Sequence, residues 1–197
     1  MATFARKLAI LRQSKQDAEL APIGARDDLF IGSIGAARNV AALRAVGITH
    51  VVAAVSADDA DFRAPGVAYL HCDVRDAPDE DLAAHFLRAS EFIARALAGD
   101  GGARGAPPGR VLVHCFQGKS RSASLVCAHL MRAEGVGFLE ALEEVRAHRP
   151  AAQPNLGFVA QLRRWEKAQR RAATGRGADA EAAAEAPIER PQPTAQL

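Results

Sequence analysis

The chain has 197 residues, 49% of them hydrophobic and 24% charged, with a formal net charge of +2, which suits one soluble globular domain with a full core and ragged ends. So small a charge argues against a nucleic-acid partner, and no stretch reaches the roughly 18 apolar residues of a membrane span. Three scattered cysteines, Cys72, Cys115 and Cys127, argue against a secreted disulfide framework and offer no metal half-site, so a cytoplasmic or nuclear monomer with no metal and no cofactor is expected.

Phe4, Leu8 and Leu11 recur at helical spacing, and residues 1–24 read as an N-terminal helical extension. Arg6, Lys7, Arg12 and Lys15 precede the first acid, Asp17; a mitochondrial presequence would share that bias, although the apolar core of a secretory signal is missing. Leu29 to Ile31 is a short strand ended by Gly32, and an alanine-rich helix over 35–46 closes at Gly47. Thr49 to Val55 is β-branched and apolar, a buried strand, and Val67 to Asp73 is another. Leu82, Phe86, Ile93 and Leu97 form one stripe of a helix over 80–99. The Gly/Pro-rich run 99–109 is a loop, and Val111 to Val113 is a strand feeding directly into Cys115. Helices follow over 121–134, 138–148 and 157–171, and residues 172–197 read as a disordered Ala/Glu/Pro-rich tail. The result is one α/β domain over 25–171, with a central, mostly parallel sheet of four to five strands flanked by helices.

The informative segment is Val111 to Met131: a strand, a tight turn, then a helix starting near Arg121. Such a turn aims backbone N–H groups and a helix N-terminus at one spot, which suits a dianion. Phe116, Gln117, Gly118, Lys119, Ser120 and Arg121 would form this phosphate cup, with Gly118 where a Cβ would obstruct the curl. The same field stabilises a thiolate, so Cys115 is expected to titrate well below about 8.5 and to attack phosphorus. Arg121, six residues on, can hold two phosphate oxygens at once, which lysine cannot. Ser122 can donate to the sulfur and make it a better leaving group.

His114-Cys115, five residues, then Arg121-Ser122 resembles the signature loop of the cysteine-based protein tyrosine phosphatases. Its HCxxGxSRS form, with the AxLVxAxLM run behind it, is similar to the dual-specificity branch. LFIGSIGAARNVAALRAVGITHVV resembles that branch's opening strand–helix–strand, and RPAAQPNLGFVAQLRRWE its closing helix. The likeness covers about 140 of the residues and neither end, and places the signature loop between a strand and a helix. It implies hydrolysis of phosphotyrosine and phosphoserine or phosphothreonine on proteins, through a cysteinyl-phosphate and without metal. It also implies an aspartate that protonates the leaving oxygen, just after the strand preceding the long helix. Aligning YLHCDVRDAPDEDLAAHF assigns Asp76 that role, with Asp73, Asp79 and Asp81 as competitors.

Several residues have plainer readings. His114 is assigned to fixing the loop by hydrogen bonding rather than to proton transfer, and Lys119 to a solvated charge. Asn155 either pins the signature loop, as the resemblance suggests, or merely caps the last helix. Cys72 and Cys127 are expected in the core, although Cys72 could act as a redox partner of Cys115 if their Cα atoms lay within about 7 Å. Arg6-Lys7-Leu8-Ala9-Ile10 has the form of a docking motif for mitogen-activated protein kinases, or of an amphipathic helix packed on the domain. Two other functions compete with a protein phosphatase: a phosphate-binding adaptor with weak catalysis, and an enzyme on RNA 5′-phosphates, glycans or lipids.

Overall fold

The structure, a computed structural model, describes residues 17–25, 27–56, 63–99 and 107–184, the last twelve as backbone. Five strands, β1 (Leu20–Ile23), β2 (Leu29–Gly32), β3 (His50–Ala54), β4 (Ala68–Cys72) and β5 (Val111–His114), form one sheet in the order β1-β2-β5-β3-β4. Only β1 runs antiparallel to its neighbour; the other pairings are parallel. The helices are α1 (Ile34–Arg38), α2 (Val40–Val46), α3 (Ala83–Ala98), α4 (Arg121–Glu134), α5 (Phe138–His148) and α6 (Leu156–Ala184).

A parallel sheet needs cover on both faces, and the strand pleat sorts side chains between them. Val52 and Ala54 of β3, with Val111 and Val113 of β5, enter the large cluster that holds Phe86, Leu125, Phe138 and Phe158 of α3 to α6. Val51, Ala53 and Leu112 point the other way, to a smaller cluster with Ala37 of α1 and Leu43 of α2. Helix α4 sits centrally against α3, α5 and α6, with every residue from Arg121 to Met131 buried. β5, the strand that carries Cys115 at its end, lies between β2 and β3. Here the chain connections diverge, and the carboxyl ends of parallel strands open onto a crevice.

The expected strands and most helices are present, and four details differ. Residues 20–23, assigned to a helical extension, form β1, because pairing to β2 buries Ala21 and Ile23 and Pro22 disfavours a helix here. Pro22 is tolerated there because β1 is an edge strand. The single helix expected over 35–46 is split: Asn39, at φ −83° and ψ 82°, breaks it, and its side chain caps α2 by accepting from Ala42 N at 3.0 Å. The long helix begins at Ala83, after the loop that bears Asp76. Helix α6 continues to Ala184, into the segment read as a disordered tail; its Ala, Glu and Arg content favours helix. Residues 1–16, with the basic segment and docking motif, and 185–197 lie outside the described residues.

Candidate active site

Cys115 follows β5 and is 1% exposed. Its Sγ lies 3.2 Å from Ser122 Oγ, in the first turn of α4. Burial by itself pushes the thiol's pKa up and is the largest single influence. The Arg121 guanidinium, the Ser122 hydroxyl and the N–H groups of Ser122 and Lys119 act against it, and together they bring Cys115 below its ordinary value. Cys127 and Cys72 show the contrast: burial pushes them to about 12 and about 11, so both remain inert thiols. Cys72 belongs to β4, separated from β5 by β3. Two strand spacings of about 4.8 Å exceed the reach of a disulfide, which favours the core role over the redox one.

Arg121 opens α4 with its side chain buried. Nη1 donates to Val74 O at 3.1 Å, which ties the phosphate loop to the chain just before Asp76. Nε, in contrast, is the only buried side-chain polar atom among the described residues without a hydrogen-bond partner. An unsatisfied guanidinium N–H beside an ionisable thiol fits an oxyanion ligand.

Asp76 reaches the same place from the other side. Its Oδ2 lies 3.8 Å from Arg121 Nε, and its Oδ1 accepts from Ser120 Oγ at 2.7 Å and from Asn155 Nδ2 at 2.9 Å. Asn155 caps α6, its Oδ1 accepting from Phe158 N at 3.0 Å, while its Nδ2 reaches Asp76 rather than the signature loop. Its backbone N–H also donates to Ser120 Oγ at 3.1 Å. The loop around Asp76 is stapled by Arg75, whose Nε donates to Glu80 Oε1 at 2.6 Å. Hydrogen bonds from Arg75 hold the Glu80 carboxyl below its usual value. Asp79 and Asp81 lie farther along this turn, and Asp81 Oδ1 caps α3 by accepting from Ala84 N. Asp76 is joined to the phosphate loop through Ser120 and stands beside Arg121.

His114 is buried, with Nδ1 3.3 Å from Cys115 O, and burial pushes its pKa down to about 4. It therefore stays neutral at neutral pH, in a place suited to holding the strand end. Lys119 is exposed, Phe116 and Gln117 are partly so, and Gly118 and Ser120 are buried.

Sequence reasoning missed three supports. Gln161 of α6 donates to Glu80 O at 2.8 Å and accepts from Ala83 N at 2.7 Å, which fixes the acid loop against α6. Gly157 lets α6 approach that loop, since a Cβ there would lie 1.9 Å from Pro78 O. Arg149, just after α5, donates to the carbonyls of Gln117 and Gly118. Nothing in the sequence separates these residues from others of their types, because each works through a partner remote in the chain.

Gly118 is at φ +67°, where a side chain is strained, and a Cβ would lie 2.6 Å from Gly32 O. Gly118→Ala is expected to cost about 1–3 kcal/mol of stability and to weaken binding of inorganic phosphate. Chemical denaturation and phosphate inhibition measured on the same protein check both effects; an alanine variant equal to wild type in both would show that the loop can take another shape.

Comparison with known proteins gives a consistent picture. Residues 29–168 match the family model "Dual specificity phosphatase, catalytic domain". The chain is 40% identical over 139 residues to dual specificity protein phosphatase 1B of Arabidopsis thaliana, covering 71% of this chain and 78% of that one. It is 36% identical over 138 residues to MAP kinase phosphatase with leucine-rich repeats protein 3 of Dictyostelium discoideum, covering 70% of this chain but only 15% of that protein. The crystal structure of human DUSP28 superposes with a TM-score of 0.65 at 34% identity, covering 76% of this chain and 99% of that one.

Proposed function

Since the chain belongs to the dual specificity phosphatase family, we propose that Cys115, Arg121 and Asp76 carry a two-step hydrolysis of phosphate monoesters on protein tyrosine, serine and threonine side chains. The chain is a protein phosphatase; the proposal concerns which side chains do the work. One observation carries it: a buried thiol with lowered pKa, a guanidinium N–H that makes no hydrogen bond and a carboxylate 3.8 Å from that N–H meet at one place.

The phosphate dianion enters the cup and is held by loop N–H groups and the Arg121 fork. The Cys115 thiolate attacks phosphorus in line; the S–P bond forms as the P–O bond to the protein breaks, and the leaving oxygen takes the proton of Asp76. A water then attacks phosphorus and gives its proton to the Asp76 carboxylate. The S–P bond breaks, and Ser122 Oγ, 3.2 Å from Sγ, stabilises the returning thiolate. Ser120 and Asn155 hold Asp76 over the cup throughout. A thiolate nucleophile needs a reducing environment, which supports action in the cytoplasm or nucleus.

Hydrolysis of phosphotyrosine and phosphothreonine peptides by the purified chain tests the reading. The Dictyostelium relative's name and the Arg6–Ile10 segment favour a phosphorylated mitogen-activated protein kinase as a third substrate in that panel. An enzyme that cleaved lipid or RNA phosphates and neither phosphopeptide would overturn it. Within the site, Arg121→Lys is expected to lower kcat/KM by roughly 10²-fold, because one ammonium cannot replace a planar two-point clamp. Near-normal kinetics in this variant would remove Arg121 from the mechanism.

A further inference from the structure

The phosphate loop is held from behind as well as from within. Arg149, with its side chain 5% exposed, donates from Nη2 to Gln117 O at 3.2 Å and from Nε to Gly118 O at 3.4 Å. The carbonyl of Gly118 and the N–H of Lys119 belong to one rigid peptide plane and point in opposite directions. The Lys119 N–H is one of the donors to the Cys115 sulfur. Holding the carbonyl outward therefore keeps that donor aimed inward.

A buried guanidinium is stable only when its charge is met. The groups that meet it come from the opposite end of the chain: Asp17 Oδ2 on Nη2 and Glu19 Oε2, 2.6 Å from Nη1. Both carboxylates lie outside the family match at residues 29–168. Their own segment is firmly placed. Ser33 Oγ donates to Asp17 O at 2.7 Å, Glu19 N donates to Asp17 Oδ1 at 3.2 Å, and Leu20 pairs with Gly32. Two glycines let the layers touch. A Cβ on Gly32 would lie 3.1 Å from Glu19 O; one on Gly118 would lie 3.0 Å from Arg149 Nη2.

The geometry points to Arg149, Asp17 and Glu19 as a positioning clamp of the phosphate loop, through which the segment leading into β1, outside the family match, sets the reactivity of Cys115. The inference rests on the reading of Cys115 as nucleophile given above. Without the two carboxylates the guanidinium turns to water, the Gln117 and Gly118 carbonyls are released, and the 118–119 peptide is free to rotate. The sulfur then loses a donor that favours its charged form, and an oxyanion loses the same donor.

The test uses the full chain as Asp17→Asn/Glu19→Gln and, separately, Arg149→Lys. The Asp17 and Glu19 side chains are 25% and 61% exposed, so the double variant leaves the core intact. Alkylation of Cys115 by iodoacetamide is followed against pH by mass spectrometry, with and without orthovanadate. In the double variant the midpoint is expected to rise by about one pH unit, which means about tenfold less thiolate below it. Protection is expected to need roughly tenfold more orthovanadate, and Arg149→Lys to move both readings the same way. A protected wild type with unmoved variants, even ones that melt earlier, overturns the clamp and leaves the residues a merely structural part. A lowered midpoint overturns it too, since that is the signature of an uncompensated Arg149 acting through its field alone. A wild type that orthovanadate cannot protect sinks the phosphate-site reading itself, and the clamp with it.

Discussion

Cys115→Ser is expected to reduce turnover of an aryl phosphate by roughly 10⁴-fold or more, the scale seen when a covalent nucleophile is removed. The oxygen replaces sulfur with little change of shape, but a serine hydroxyl does not ionise at the pH where the thiol does. The influences that lower the Cys115 pKa are the Arg121 charge, the Ser122 hydroxyl and two N–H groups, and they fall far short of what an alcohol would need. Those same donors remain in the variant, because the cup is made of backbone and Arg121. Phosphate binding is therefore expected to persist, and even to tighten slightly, since a bound dianion no longer faces a thiolate. Steady-state hydrolysis and calorimetric titration with inorganic phosphate read the two halves separately. Loss of both together would mean that serine disrupts the loop; retention of turnover would remove Cys115 from the chemistry.

Asp76→Asn is expected to lower kcat by about 10²–10⁴-fold on substrates with poor leaving groups, the range of a lost general acid. Asparagine keeps the size of the side chain and can still accept at Oδ1 from Ser120 and Asn155, so the acid loop stays in place. What it cannot do is deliver a proton. The loss is therefore expected to shrink steadily as the leaving phenol becomes more acidic and departs unaided. The fall in rate with rising pH that a general acid produces is expected to flatten in the variant. The acidic limb, set by the Cys115 thiolate and the substrate dianion, should stay. A series of aryl phosphates of graded leaving-group acidity provides the measurement. Asp79→Asn serves as the control, since Asp79 lies three residues on and is not joined to the phosphate loop. Leaving-group dependence in Asp79→Asn and none in Asp76→Asn would transfer the role.

The proposed nucleophile and clamp arginine, and the loop that carries them, stand out in the sequence because they are local. Strand, turn and helix N-terminus follow one another without interruption from Val111 to Arg121, and six residues of chain suffice to build an anion site. The order of strands and helices was legible for a similar reason: β-branched runs and helical stripes are properties of short windows. Asp76 was reachable only by resemblance, since four aspartates crowd one turn and spacing alone does not separate them.

Tertiary structure decided the remainder, and in each case the deciding contact spans a long stretch of chain. β1 is a strand because β2 offers it a partner, a contact that no window around Leu20 to Ile23 shows. Asn155 caps α6 and also reaches Asp76, 79 residues away, a contact that neither of its two readings named. Arg149 is bonded to carboxylates 130 and 132 residues earlier. Its role follows from burial of a charge that must be met, a requirement that no local pattern of residues expresses. The sequence by itself therefore determined which residues make up the cup. Only the folded chain decided what holds the cup in shape, because hydrogen bonds between remote segments exist only once the sheet has brought those segments together.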